Sequence, residues 1–96
     1  MKFLAQMAKQ SPEAMSKFQA FMNESLKAGK LSVKQKELIA LGIAINKQCQ
    51  SCIDIHIEKA KKAGASKQEL IETCWVAVLM GGGPALMYCE GVINKL

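Results

Sequence analysis

Residues 49 to 56 read CQSCIDIH and hold two of the four cysteines and the chain's only histidine. On a helix turning ~100° per residue, Cys49, Cys52 and His56 project within about 60° of one another. They share one face. Ile53, Ile57 and Ala60 continue that face toward a core side, while Asp54, Glu58, Lys61 and Lys62 lie away from it. A cysteine in the first helical turn meets unpaired backbone N–H groups and the positive end of the helix dipole, which favour a thiolate and lower its pKa. Cys49 and Cys52, three apart, can also close a disulfide. His56, one turn beyond Cys52, can exchange a proton with that thiol directly or through one water. The layout is that of an activated thiol with a resolving partner.

A further group joins if the helix upstream folds back antiparallel about Lys47. Equal distances from that corner set Glu37 opposite Ile57 and His56, and Gly42 opposite Cys52. Glu37 would orient His56, and Gly42 would let the two helix backbones approach beside the thiols. Carboxylate, imidazole and thiol in sequence form the relay that a thiol needs to attack and then be re-protonated.

The elements that must position these groups are helical almost throughout. Ser11-Pro12-Glu13 supplies an N-cap, a proline at the first helical position and an acid in the first turn; Met15, Phe18, Met22 and Leu26 follow at helical spacing, and Gly29 is the expected stop. A short helix around Phe3 to Ala8 precedes it. Ser32 and Gln35 form a capping box, so a second long helix begins at Val33 and runs through LIALGIAI, residues 38 to 45. Asn46, Lys47 and Gln48 break that run. The cysteine helix starts near Cys49 and ends where Lys61, Lys62 and Gly64 make a cationic last turn and a glycine stop. Ser66 and Glu69 form another capping box, followed by Leu70, Ile71, Cys74, Trp75, Val78 and Leu79 on one stripe. Gly81-Gly82-Gly83 has no strand before it and no GK[ST] after it, so it reads as a flexible corner and not a phosphate loop. Pro84 opens a last helix to the C-terminus. The expected fold is all-α, five to six helices in one domain over residues 1–96, with an antiparallel hairpin carrying the CxxC.

Half of the 96 residues are apolar. So short a chain covers that much apolar side chain most easily by burying part of it between subunits, and a homo-oligomer is expected. The contact surface expected is the helix pair Val33 to Ile45 and Leu70 to Leu79. The net charge of +5 comes from lysines, with no arginine, and aromatics are 5% of residues and not interleaved with them. That combination speaks for a solvated face and against nucleic-acid binding. No segment approaches the ~18 apolar residues of a membrane span, and the first residues have too short an apolar run for a signal-peptide core. A cytoplasmic protein is expected, in which four cysteines do not read as a structural disulfide framework.

Residues 37 to 56, ELIALGIAINKQCQSCIDIH, resemble the Glu-x11-Cys-x2-Cys-x3-His signature of the AhpD-like, carboxymuconolactone decarboxylase-like proteins. The likeness continues through ASKQELIETCWVAVLMGGGPALMY. It implies an all-helical protein that assembles as a hexamer, or as a trimer, and works as a thiol-disulfide oxidoreductase with peroxidase activity. Its substrate would be a peroxide or a protein disulfide, and a reducing partner protein would restore it, with no cofactor. The resemblance makes Cys52 the reactive thiol that becomes a sulfenic acid, Cys49 the proton donor and disulfide partner, and His56 and Glu37 the relay. Family members often carry an aromatic or histidine before the second cysteine, where this chain has Ser51. Serine can hold a water but cannot titrate, which bears on rate and substrate more than on the redox role.

Other chemistries weigh less. Two core cysteines would be the plain reading of a lone CxxC, but Glu37 and His56 at matching positions oppose it. Zinc would find three ligands in Cys49, Cys52 and His56 and a fourth in Cys89 or a carboxylate, yet a structural zinc site usually ties separate segments together. A c-type haem needs a histidine directly after the second cysteine, and a thioredoxin fold needs strands. A decarboxylating lyase of the same family would have no need of a redox thiol pair. A non-catalytic redox-sensing oligomer would react once with peroxide and stop. Cys74 and Cys89 read as packing residues.

Overall fold

In the computed structural model, which describes residues Lys2–Leu96, seven helical elements follow one another and no strand occurs among the described residues. They are α1 (Lys2–Gln10), α2 (Pro12–Leu26), α3 (Val33–Asn46), α4 (Gln50–Lys62), α5 (Lys67–Gly81), α6 (Gly83–Tyr88) and α7 (Glu90–Ile93). Two reciprocal caps start the two most apolar helices. Ser32 Oγ accepts the Gln35 N–H at 3.0 Å while Gln35 Oε1 accepts the Ser32 N–H at 2.8 Å. Ser66 and Glu69 repeat the arrangement at 3.1 and 2.9 Å. Each pair satisfies two backbone donors that a helix start otherwise leaves open.

Helix α3 lies between α4 and α5, and its buried residues Leu41, Ala44 and Ile45 meet Ile53, Ile57 and Ala60 from α4 and Leu70, Cys74 and Ala77 from α5. Val92 of α7 and Ala85 of α6 close the core from the C-terminal side. Fully burying side chains such as Leu41, Ile45, Ile53 and Ile57 contributes about 1.5–3 kcal/mol each, enough to hold the α3–α4 hairpin in register. The hairpin is antiparallel, as the sequence predicts.

Three expectations are corrected. Helix α2 ends at Leu26, before Gly29, with Lys27 already extended (φ −64°, ψ 152°). Its terminal carbonyls need no glycine turn, because Lys36 Nζ donates to the Ser25 and Lys27 oxygens at 2.9 and 2.7 Å. The stripe expected on α5 is split: Leu70 and Cys74 are buried, but Trp75 is 60% exposed and Leu79 80% exposed, and Ala77 takes the inward place. The glycine run forms the corner between α5 and α6, as the sequence predicts. Gly82 holds φ 69°, ψ −150°, a conformation open essentially to glycine alone, and a side chain at Gly81 would collide with the Asn46 carboxamide, which donates to the Ala77 carbonyl at 3.2 Å. The last helix is interrupted at Cys89, where the N–H turns back to the Leu86 carbonyl at 3.1 Å, leaving α6 and the single turn α7.

Candidate active site

The α3–α4 corner decides where the thiols stand. Gln48 is the only non-glycine residue with positive φ, at 55°, among the described residues. The Gln48 N–H bonds the Ile45 carbonyl at 3.1 Å and the Cys49 N–H bonds the Ala44 carbonyl at 3.2 Å. Those two bonds are the paired closure that ends a helix on a left-handed residue, a place normally taken by glycine. The corner hands Cys49 directly to the N-cap of α4, with extended backbone (φ −107°, ψ 95°). Its Sγ accepts the Cys52 N–H at 3.3 Å, so a sulfur does at this helix start what a serine oxygen does at the other two.

Cys49 and Cys52 are joined by a disulfide, with Cα atoms 5.3 Å apart. Both are partly exposed. The Ser51 hydroxyl lies 3.6 Å from Cys49 Sγ and donates to it, since a disulfide sulfur has no proton to give.

Among the described residues Glu37 is the one buried charged residue, 2% exposed, and its Oε1 lies 2.7 Å from His56 Nδ1 across the α3–α4 interface. A carboxylate can only accept, so Nδ1 carries the proton and Nε2 is left as the free acceptor. The His56 side chain stays 23% exposed, whereas that of Glu37 is 3% exposed. The carboxylate therefore works from inside the protein and the imidazole at its surface, one turn from Cys52 on the same helix. Beneath them Ile53 and Ile57 are buried and fix the rotation of α4.

The structure thus brings Glu37 to His56 and Cys49 to Cys52, all at the α3–α4 hairpin. Gly42 is elsewhere. A Cβ there would sit in ordinary contact, 3.6 Å from Thr73 Cγ2, so Gly42 faces α5 and not the thiols. Counting along a hairpin ignores the rotation of each helix, and that rotation turns Gly42 to the other neighbour. Sequence reasoning also missed Gln48, whose left-handed turn carries no glycine or asparagine to signal it.

Cys89 is directed away from the site, its thiol donating to the Cys74 carbonyl at 3.9 Å. Both are free and buried. Burial, with the neighbouring Cys89 thiol second, pushes the Cys74 thiol up to about 12, so it is a packing group at neutral pH. No cluster of three or more His, Cys, Asp or Glu side chains placed to hold a metal ion occurs among the described residues.

Known proteins share this frame. An uncharacterized protein of Cupriavidus necator is 38% identical over 79 residues, covering 82% of this chain and 70% of its own length. A second uncharacterized protein, from a cox locus of Paracoccus denitrificans, is 34% identical over 68 residues, and the chain spans 61% of that relative's length. The crystal structure of an apo carboxymuconolactone decarboxylase family protein from Legionella pneumophila superposes with a TM-score of 0.93 at 42% identity, covering 97% of this chain and 83% of that one. One from Thermotoga maritima gives 0.86 at 25% identity, covering 97% and 80%. The sequence profile of the carboxymuconolactone decarboxylase family matches residues 12–95, from the first turn of α2 almost to the C-terminus, and the chain belongs to that family.

Proposed function

We propose that the chain is a thiol-disulfide oxidoreductase with peroxidase activity, and the observation that carries this reading is the Cys49–Cys52 pair at the start of a helix whose His56 is held by buried Glu37 at 2.7 Å. In the reduced protein His56 Nε2 takes the Cys52 proton while Glu37 holds Nδ1–H and balances the imidazolium. The Cys52 thiolate attacks the outer oxygen of a hydroperoxide ROOH. The O–O bond breaks, Cys52 becomes a sulfenic acid, and the leaving alkoxide takes the proton back from His56 as ROH. The Cys49 thiol then attacks the Cys52 sulfur, closing the disulfide and releasing water. A dithiol donor returns two electrons and two protons by disulfide exchange, and the cycle is complete.

Partial exposure of both cysteines supports access by peroxide and by a donor. The Thermotoga maritima relative has been assigned a candidate role in an antioxidative response, which agrees with this chemistry. The proposal sets the protein in the reducing cytoplasm as a homohexamer built from three dimers. No helix among the described residues is long and apolar enough to cross a membrane.

The test is turnover. With excess dithiothreitol, the protein should consume many equivalents of tert-butyl hydroperoxide; reduced and then freed of small thiols, Cys49→Ser should consume one equivalent and stop as a Cys52 sulfenic acid, where the wild type stops as the Cys49–Cys52 disulfide. A wild-type protein that stops after one equivalent with dithiothreitol present is a sensor and not an enzyme. Lactone decarboxylation undiminished by Cys49→Ser would place it with the lyases.

A further inference from the structure

The two sulfurs of the disulfide stand in unlike surroundings. Cys49 Sγ meets two donors, the Cys52 backbone N–H at 3.3 Å and the Ser51 hydroxyl at 3.6 Å. Cys52, one helical turn from His56, has the opposite setting. Glu37 Oε1 holds the proton on His56 Nδ1 at 2.7 Å, so the neutral ring offers Cys52 only the Nε2 lone pair. Ser51 also differs from Ser32 and Ser66, whose hydroxyls accept the backbone N–H three residues on and close capping boxes. At α4 the cap is the Cys49 sulfur itself, and the Ser51 hydroxyl, exposed in the first turn, is turned to that sulfur instead.

We propose that Ser51 is a catalytic residue of the thiol–disulfide exchange: with the Cys52 N–H it holds Cys49 as a thiolate, and so directs a dithiol donor to the Cys52 sulfur. The inference rests on the reading of Cys49 and Cys52 as a working redox pair. A donor thiol that has lost its proton to water attacks Cys52 Sγ. A bond forms between the donor and Cys52 sulfurs, the Cys49–Cys52 bond breaks, and its electron pair leaves on Cys49, where the N–H and O–H donors already point. A sulfur leaves faster the better its negative charge is held, so attack on Cys52 wins over attack on Cys49, which would expel Cys52 toward a lone pair. The donor's second thiol then gives its proton to His56 Nε2 and attacks the donor sulfur of the mixed disulfide. Cys52 leaves and takes that proton back from His56, and Cys49 takes one from water. Two electrons and two protons have passed from the donor, which ends as its own disulfide. The oxidative half uses the same stabilisation, since Cys49 attacks the Cys52 sulfenic acid as the thiolate that Ser51 helps to form.

The test uses the full-length chain and its Ser51→Ala and Ser51→Thr variants. Oxidised wild type is mixed with β-mercaptoethanol and quenched in acid with excess methyl methanethiosulfonate, and tandem mass spectrometry locates the mixed disulfide. It is expected on Cys52, with Cys49 carrying the quenching reagent. Ser51→Ala should slow reduction of the oxidised protein by dithiothreitol about fivefold or more, whereas Ser51→Thr, which keeps the hydroxyl, should stay within about twofold of the wild type. A pH profile separates this from a structural effect. In a Cys52→Ser background the midpoint of Cys49 alkylation should lie below the free-thiol value of about 8.5 and rise by about half a pH unit or more on Ser51→Ala. A mixed disulfide on Cys49, a Ser51→Ala variant reduced as fast as the wild type, or an unmoved Cys49 midpoint overturns the proposal and leaves peroxide turnover untouched. A wild type that shows the expected pattern but turns over no peroxide fails the peroxidase reading and not this one.

Discussion

Cys49 has two roles at once, and two substitutions separate them. Its sulfur caps α4 by accepting the Cys52 N–H, and it is also half of the disulfide. Serine is a good N-cap, so Cys49→Ser should lose turnover while helix stability is kept; Cys49→Ala should lose turnover and about 1 kcal/mol besides, measured by denaturant unfolding of the reduced proteins. The relay makes a sharper demand. In the reduced protein, His56→Ala should raise the Cys52 apparent pKa toward the free-thiol value of about 8.5, and Glu37→Gln should raise it less, because Glu37 acts only through the imidazole it holds. The pH dependence of alkylation measures both, and an unchanged Cys52 profile in His56→Ala would reduce the histidine to packing. Cys74 carries a pH signature of its own. Its thiol rises from 9.0 to about 12 on folding, so its contribution to stability is complete below pH 9 and is lost as pH climbs toward 12. Chemical unfolding at pH 8 and pH 11 should show that loss, and Cys74→Ala should flatten it.

At the scale of the elements, helix ends account for most of the order around the site. Gln48 sits in a left-handed turn at a cost of about 1 kcal/mol that glycine would not carry. Gln48→Gly should therefore stabilise by about 0.5–1 kcal/mol and raise the melting temperature of the oxidised protein by a few degrees. A fall in stability would mean that the Gln48 side chain contributes more than its backbone costs. The α5 cap has an acid limb. The Ser66 N–H, and after it Lys34, hold the Glu69 carboxyl below its ordinary 4.5. Its contribution is complete above that value and fades as pH falls through the lowered one, so Glu69→Gln should remove the acid sensitivity, while Ser66→Ala, which keeps the backbone N–H, should lose only the cap, about 1 kcal/mol.

For the whole molecule, large apolar side chains remain at the surface, Trp75, Leu79 and Met80 among them, and the proposed assembly would cover them. The chain's melting temperature should rise with protein concentration, as binding between folded copies requires. A concentration-independent value over a hundredfold range would speak for a monomer. Oxidation state should leave this dependence alone, because the surface between α3 and α5, expected to carry the contact, contains none of Cys49, Cys52 and His56.

Residues acting within four positions of one another were legible from the chain alone. The capping boxes at Ser32 and Ser66, the cysteine helix beginning at Cys49 and the stop at Gly64 all rest on bonds of that reach, so local order encodes them. The pairing of Glu37 with His56 spans 19 residues and was still readable, because two helices joined by a short corner leave one antiparallel register. Tertiary structure alone decided the rest. Gly42 turned toward Thr73, Ala77 went inward where Trp75 was expected, and the last helix broke at Cys89. Each depends on which face of a helix a distant segment covers. When nearly every side of α3 and α5 is apolar, hydrophobic pattern does not choose the face, and only the arrival of α4, α6 and α7 against them does.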